Sequence, residues 1–198
     1  MTRTGPAWRI AAAGLLIGAA GAAADERPAT IPTRDVDVTY ATLAPNGAVL
    51  LQQRMRWSAS ARLVRLDPPS RDLYFVMDLQ NHLLDTIRPS NRAVLETNAP
   101  GAGLVPGVAA QTSFARKGPA TVAGVACTEW ETVDAAGRPA LACLTEDGVL
   151  LRAQAGGQTL VEARSVHYGP IDKGVFAIPP DYTKLTPPTA PPQSAPAQ

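Results

Sequence analysis

The feature that most constrains this chain is a rhythm of short apolar runs and turn signals between Asp35 and Leu185. Several runs alternate apolar and polar residues, as Val36 to Tyr40 does, and they recur about every 8–12 residues, which is typical of an all-β domain. Asp-Gly and Gly-Gly pairs separate some of them and favour tight hairpins. No stretch carries a sustained 3.6-residue apolar stripe. The sequence therefore predicts a mainly β domain, an antiparallel sheet with little helix.

These runs also predict which residues share a face. Between Val49 and Trp57, the odd-numbered apolar residues are expected on one face, with Arg54 and Arg56 on the other. Leu73–Leu79 is apolar on both faces, which is typical of a strand covered on both sides. The predicted strands are Val36–Tyr40, Val49–Trp57, Ala61–Leu66, Leu73–Leu79, His82–Ile87, Ala93–Glu96, Val122–Val133, Ala140–Thr145, Val149–Gln154 and Gln158–Tyr168.

The first 24 residues have the order of a secretory signal peptide. Arg3 and Arg9 give a positive start, Ile10–Gly21 is uncharged and mostly apolar, and small residues follow up to Ala24. The apolar run is shorter than the roughly 20 residues that span a bilayer. We therefore expect cleavage near Ala24 and a mature chain without a transmembrane span. Its Ala-, Arg- and Pro-rich composition suits a bacterial chain, so the expected compartment is the periplasm.

Proline marks both ends of the mature chain. Residues 25–34 contain two prolines and are predicted to form an N-terminal arm rather than a helix. Residues 186–198 are Pro-rich and lack large apolar side chains, which predicts a disordered tail. A single domain is expected over residues 35–185. Inside it, the Gly- and Pro-rich segment Asn98–Ala110 is predicted to be a covering loop, with a mobile lid or a short broken helix as the alternatives.

The charge balance bears on partners. The 18 basic and 17 acidic residues of the full chain become 16 and 17 once Arg3 and Arg9 leave with the signal peptide. A mature net charge of −1 predicts no electrostatic binding to nucleic acid or to an anionic membrane. We expect a monomer.

Cys127 and Cys143 are the only cysteines, and an exported chain meets an oxidising compartment. If their hairpin turns about position 135, the two stand directly opposite, with Cβ atoms about 4.5–5.5 Å apart. A disulfide needs roughly 3.5–4.5 Å. The sequence therefore predicts a structural disulfide. The Cys-x-x-Cys motif of redox-active pairs is absent.

The same register predicts that Trp130 points to the core, while Glu129 and Glu131 point to solvent. The two glutamates could also form an acid/base pair of the kind glycosidases use. Alternating glutamates on an exposed strand are commoner, so we favour that interpretation. His82 or His167 could act as a base, but no nucleophile or orienting acid can be assigned to either.

Other chemical signatures are missing from the sequence. It contains no Gly-x-Ser-x-Gly, His-Glu-x-x-His or phosphate-binding glycine loop. We therefore expect no catalytic residues, no cofactor, no metal and no enzymatic activity. A basic cluster could meet an anionic head group, but a solvated outer face is favoured; its members are Arg54, Arg56, Arg62 and Arg65.

Three segments of the domain carry a recognisable pattern: Thr121–Trp130, Cys143–Arg152 and Phe176–Tyr182. They resemble small exported bacterial domains of unknown function that are similar to the LolA/LolB lipoprotein-carrier superfamily. The resemblance implies an antiparallel sheet curled into an unclosed barrel with an apolar concave face. In the carriers this cavity holds acyl chains beneath helical lids. The N-terminal arm here cannot supply the long helix of the carriers.

The resulting hypothesis is a non-enzymatic periplasmic module that binds a lipid or other apolar ligand in the concave face. The alternative is an envelope protein-interaction or scaffolding module whose core is filled. A curled sheet filled by side chains would favour this alternative. The candidate cavity lining is Val49, Leu51, Met55, Trp57, Phe75, Met77 and Trp130.

Overall fold

The computed structural model describes residues 27–99, 113–134 and 136–185. The predicted signal peptide, the 186–198 tail and most of the Asn98–Ala110 segment lie outside these ranges. Helix in the described ranges consists of two 3₁₀ turns, Pro89–Asn91 and Lys173–Phe176. The prediction of a mainly β chain with little helix is confirmed.

The described strands form one 12-stranded sheet with the order β12-β6-β5-β4-β3-β2-β1-β11-β10-β9-β8-β7. All neighbours pair antiparallel except β12, which runs parallel to β6. Because β7 and β12 remain as edges, the sheet is not closed into a barrel. The strands are β1 Val36–Leu43, β2 Val49–Ser58, β3 Leu63–Asp67, β4 Tyr74–Asp78, β5 Leu83–Arg88, β6 Ala93–Asn98, β7 Ala115–Val122, β8 Val125–Val133, β9 Pro139–Leu144, β10 Leu150–Ala155, β11 Gln158–Tyr168 and β12 Thr183–Leu185.

The main core lies against one face of β1–β3, which we call the core face. Val36, Trp57 and Val64 stand side by side across these strands and are at most 1% exposed. Buried residues of β7–β11 join the same cluster, including Val122, Leu151 and Ala163. Since β7–β9 are far from β1–β3 in the sheet order, the sheet must curl to bring them together.

The opposite, back face of β4–β6 is covered by the chain that follows β11. Phe176 packs there among Tyr74, Val76, Ile87 and Val94. Its neighbours along the chain add half-buried apolar contacts; they are Ile171, Val175, Ile178 and Tyr182. This segment therefore covers the apolar back face of β4, as the sequence predicted for a strand that is apolar on both faces.

One predicted strand is a hairpin instead. The predicted run Val122–Val133 contains a two-residue turn at Ala123 and Gly124, with φ of 49° and 76°. Two positive φ values match the tight turns that suit right-twisted hairpins, where Asn or Gly is usual. Because Ala-Gly is not a usual turn pair, the sequence did not predict this turn, and the edge strand β7 was missed.

The predicted disulfide is present, with a Cα–Cα distance of 5.5 Å between Cys127 and Cys143. The predicted register is wrong by two residues, because Glu129, not Cys127, stands opposite Cys143. The bridge therefore links a diagonal pair. A shift of two preserves the faces, since side chains alternate with period two. A disulfide persists in oxidising compartments, which agrees with export.

The N-terminal arm crosses the end of the sheet at which β1 begins, which we call the arm end. The Trp57 indole donates to the Pro32 carbonyl at 2.7 Å. The arm also crosses the β9–β10 turn, where Gly148 has φ of +89° and a Cβ atom would lie 2.6 Å from the Ile31 carbonyl oxygen. The predicted absence of helix in the described part of this arm is confirmed.

Asp147, in the same turn, holds the arm in place. Its carboxylate accepts hydrogen bonds from Arg34 and Tyr168, both at 2.9 Å, and from Thr145 at 2.5 Å. Its backbone carbonyl accepts from the Thr33 amide at 2.9 Å. Burial raises the pKa of Asp147, but the three side-chain donors outweigh burial and hold the pKa below its usual value.

We expect Ala123→Gly to stabilise the protein by about 0.5–1 kcal/mol, because glycine relieves the left-handed backbone at φ 49°. Urea unfolding of the oxidised protein measures the difference. Ala126→Gly is the matched control. Residue 126 lies in extended β8, so that variant should lose a similar amount. Equal effects of the two substitutions would contradict the turn geometry.

We expect Asp147→Asn to cost about 1–3 kcal/mol of unfolding free energy at pH 7. The stabilisation from a lowered carboxylate pKa exists above the unfolded pKa of about 3.9 and disappears as pH falls through the folded value. The difference between wild type and variant should therefore shrink below about pH 4. Urea titrations at several pH values measure it. The exposed neighbour variant Glu146→Gln should change stability by less than about 0.5 kcal/mol, and a cost independent of pH would contradict the role of Asp147.

Candidate ligand-binding surface

Two rows of side chains cross the core face from β1 towards the β12 edge. Each row joins directly paired residues, so its members share one face. The row nearer the arm end is Val36, Trp57, Val64, Met77, Leu84 and Thr97. The next row is Val38, Met55, Leu66, Phe75, Thr86, Leu95 and Leu185.

Burial decreases along both rows. Trp57 and Met55 are 1% and 5% exposed and belong to the filled core. Five apolar residues further along are only half-buried: Leu66, Phe75, Met77, Leu84 and Leu95. At the edge, Leu185 is 50% exposed. We call the five half-buried residues the apolar ledge.

The ledge carries no charge. Both rows contain only apolar side chains and two threonines, Thr86 and Thr97. The Thr97 hydroxyl donates to the Leu84 carbonyl at 3.2 Å, which satisfies it locally. The surface can therefore hold an apolar group without desolvating an ionised side chain.

The predicted cavity residues do not form one lining. Phe75 and Met77 lie on the ledge, and the core takes up Met55 and Trp57. Val49 and Leu51 are 49% and 38% exposed where β2 begins. The prediction that these two share a face is wrong, because the pairing shifts between Thr42 and Leu43.

Trp130 belongs to a separate small cluster with Ala142, Leu144 and Leu150. Phe114 covers it edge-on, with ring centroids 6.3 Å apart. Trp130 is buried, but in this separate cluster and not in the main core, to which the sequence analysis assigned it. Ala142 and Cys143 are consecutive on β9 and point to opposite faces, so the tryptophan and the disulfide lie on opposite faces of that strand.

Glu129 and Glu131 are ion-paired rather than simply solvated. Glu131 is exposed and lies 2.9 Å from Lys117. Glu129 is half-buried and accepts a 2.6 Å hydrogen bond from Arg152. The prediction that both face solvent holds for Glu131 but not fully for Glu129.

The predicted basic cluster is neutralised on the back face. Asp67 bonds both Arg56 and Arg65, and Arg54 bonds Asp37. Burial raises the pKa of Asp67, but hydrogen bonds from Arg65 and Arg56 lower it more, so it stays below its usual value. The Arg65 guanidinium also lies 3.8 Å from the Tyr74 ring centre. The prediction of a freely solvated arginine face is therefore wrong for Arg56 and Arg65.

Back-face carboxylates occur near the edge. Asp85 on β5 stands directly opposite Glu96 on β6, and Lys184 bonds Glu96 at 3.3 Å. Burial and then the facing Glu96 raise the pKa of Asp85. His82 is exposed in the β4–β5 turn, and His167 is exposed on β11. Across residues 27–99, 113–134 and 136–185, no three His, Cys, Asp or Glu side chains are placed to hold a metal ion.

A depression of about 800 Å³ opens at the end of the sheet opposite the arm. It lies between the β8–β9 and β10–β11 hairpins, on the same face of β8 and β9 as the disulfide. None of the predicted cavity residues lines it. Its walls combine Leu141, Leu160 and small residues with polar and charged ones, which are Gln154, Gln158, Glu131, Lys117 and Arg138.

Comparison with solved structures places this sheet in a known fold. An uncharacterized conserved protein from Thermus thermophilus is similar over 78% of this chain and 91% of its own, with 12% identity and a TM-score of 0.54. The MucA/MucB complex of Pseudomonas aeruginosa matches over 81% of this chain and 62% of the matched chain, with 14% identity and a TM-score of 0.53.

PNGF-II is similar over 78% of this chain but only 31% of its own, with 12% identity and a TM-score of 0.52. This chain thus spans less than two thirds of the matched chains of MucA/MucB and PNGF-II. No protein-family description and no curated protein matches the sequence. No helix within the described ranges is long and apolar enough to cross a membrane. At these identities the likeness shows the curled-sheet fold alone.

Proposed function

We propose that this protein is an exported, non-enzymatic periplasmic module that binds a lipid or other apolar ligand on the apolar ledge. One observation carries the proposal. An apolar sheet face is filled over β1, β2 and Val64 of β3, whereas Leu66 and the apolar residues of β4–β6 on that face are only half-buried. On the back face of β4–β6, by contrast, the apolar side chains are covered by the chain itself, because Phe176 packs on them.

The form of the ledge suits an elongated ligand. Its residues come from β3, β4, β5 and β6, and neighbouring strands lie about 4.8 Å apart. An acyl chain lying across them could contact all five ledge side chains. The absence of charge in both rows supports an apolar ligand, since a charged group would find no partner there. The resemblance to LolA/LolB carriers, whose concave face holds acyl chains, supports the same ligand class.

The filled half of the core face supports the second candidate, an envelope protein-interaction module. Trp57 and Met55 are unavailable to a ligand, so the ledge is a flank of the core rather than an enclosed cavity. Such a surface could also take apolar side chains of a partner protein. The similar MucB was solved in a complex with MucA, which supports this second candidate.

Site-specific photo-crosslinking separates the two. A photoreactive residue replaces Leu84 on the ledge or, as matched control, exposed Lys173 on the covering segment, in protein expressed with its signal peptide. We expect irradiation of cells to give an adduct at position 84 of lipid mass that enters organic solvent after proteolysis. An adduct of protein size at position 84 would favour the interaction module instead.

Native mass spectrometry of unmodified protein, purified from periplasm without detergent, checks the same ligand independently. We expect extra mass that disappears on denaturation and appears as lipid in the organic extract. If the mass equals that of the bare polypeptide, and position 84 crosslinks no more than position 173, both candidate functions of the ledge are overturned.

A further inference from the structure

Exposed aliphatic side chains gather at the end of the sheet opposite the arm, where β1 ends and β2 and β11 begin. Exposed fractions there are 49% for Val49, 65% for Leu50, 38% for Leu51 and 42% for Leu160. Leu43, paired with Val49, is half-buried beside them. We call these five residues the aliphatic tip. None of them belongs to the apolar ledge.

Two β-bulges, one in β2 and one in β11, determine how Leu50 and Leu160 are exposed. Thr42 pairs with Leu51 and Leu43 with Val49, so Leu50 is left over as a bulged residue. On β11, Val161 and Thr159 are paired with consecutive residues of β10, which leaves Leu160 over in the same way. Bulges re-aim side chains out of the regular pleat. Both bulges fall at the same end and carry leucine.

Basic side chains surround this end. The exposed ones are Arg71, Arg88, Arg92, Arg116, Lys117 and Arg138. The acidic residues at this end are Asp67, Asp72, Glu131, Asp134 and Asp181. Three of the basic residues form ion pairs with them: Lys117 with Glu131, Arg138 with Asp134 and Arg92 with Asp181. Basic residues therefore outnumber acidic ones here, although the predicted mature chain has a net charge of −1. The near-neutral total concealed this asymmetry from sequence analysis.

The charge pattern selects the partner. A second copy docking tip to tip would bring two basic borders together, which is unfavourable. An anionic bilayer offers phosphates to the border and an apolar interior to the leucines. The tip consists of the β1–β2 hairpin and the start of β11. It projects from the end of the sheet, so its side chains can insert between lipid head groups.

We propose that the aliphatic tip docks on an anionic lipid surface, with Leu50 and Leu160 entering the boundary between head groups and acyl chains. The exposed Arg71 and Arg88 contact the head-group phosphates, and the ion-paired Arg92, Lys117 and Arg138 lie beside them at the same end. This docking is separate from the ligand-binding function proposed for the ledge, and it requires no transmembrane segment.

Vesicle co-sedimentation of the purified mature chain tests the proposal. The vesicles contain phosphatidylglycerol and phosphatidylethanolamine, and phosphatidylcholine vesicles serve as the uncharged comparison. We expect Leu50→Asp and Leu160→Asp each to weaken binding about tenfold, because each removes one buried leucine from the contact. Ile31→Asp alters an exposed aliphatic residue away from both the tip and the ledge, at 41% exposure, and should leave binding unchanged.

Raising the salt concentration should weaken binding to the anionic vesicles, since the border charges are exposed to solvent. Circular dichroism of each variant checks that the fold is intact. The proposal is overturned if the unmodified chain does not bind anionic vesicles, or if the tip and control variants bind equally. A tip-dependent dimer in sedimentation, without vesicle binding, would also overturn it and assign the tip to a second copy of the chain.

Discussion

The curl of the sheet follows from one constraint: the apolar core face of β1 and β2 must be removed from water, and no helix in the described ranges covers it. The remaining cover is the sheet itself. Strands β7–β11 supply buried residues to the cluster around Val36 and Trp57. Burial of large apolar side chains stabilises by roughly 1.5–3 kcal/mol each. The curl therefore gains more from this contact than a flat sheet could.

The same constraint has different solutions along the sheet. On the back face of β4–β6, the segment around Phe176 provides cover. At the arm end, the Pro32 carbonyl satisfies the buried Trp57 indole, and Tyr40 reaches the Leu150 carbonyl at 2.7 Å. Burial raises the pKa of Tyr40, so its hydroxyl stays a donor there. Leu66 and the apolar residues of β4–β6 on the core face keep partial exposure, and there the candidate ligand surface lies.

Local signals predicted most of the fold, and non-local contacts account for the rest. Period-two alternation and turn signals rich in Gly, Pro, Asn and Asp placed most strands, and the cysteine pairing was confirmed. The turn at Ala123 was missed because alanine rarely occupies a left-handed position. Asp67 directly precedes Pro68 and Pro69, which end the predicted strand, and nothing in the sequence linked it to Arg56 and Arg65.

The candidate site shows the same division. Phe75 and Met77 could be selected because their strand is apolar on both faces. The burial of Met55 and Trp57 could not, because it depends on strands about a hundred residues away. Leu66, Leu84 and Leu95 lie in predicted strands, but only the paired register shows that they continue the rows of Met55 and Trp57.

The turn that fastens the arm also bears on the chemical ageing of the protein. Asp-Gly bonds isomerise when the glycine amide nitrogen attacks the aspartate carboxyl carbon and closes a succinimide ring. Here the Gly148 amide donates to the Thr145 carbonyl at 3.0 Å, and Arg34, Tyr168 and Thr145 fix the carboxylate of Asp147. Neither reacting group is free to reach the other. The contacts that secure the arm thus protect the backbone at this turn from a slow covalent change.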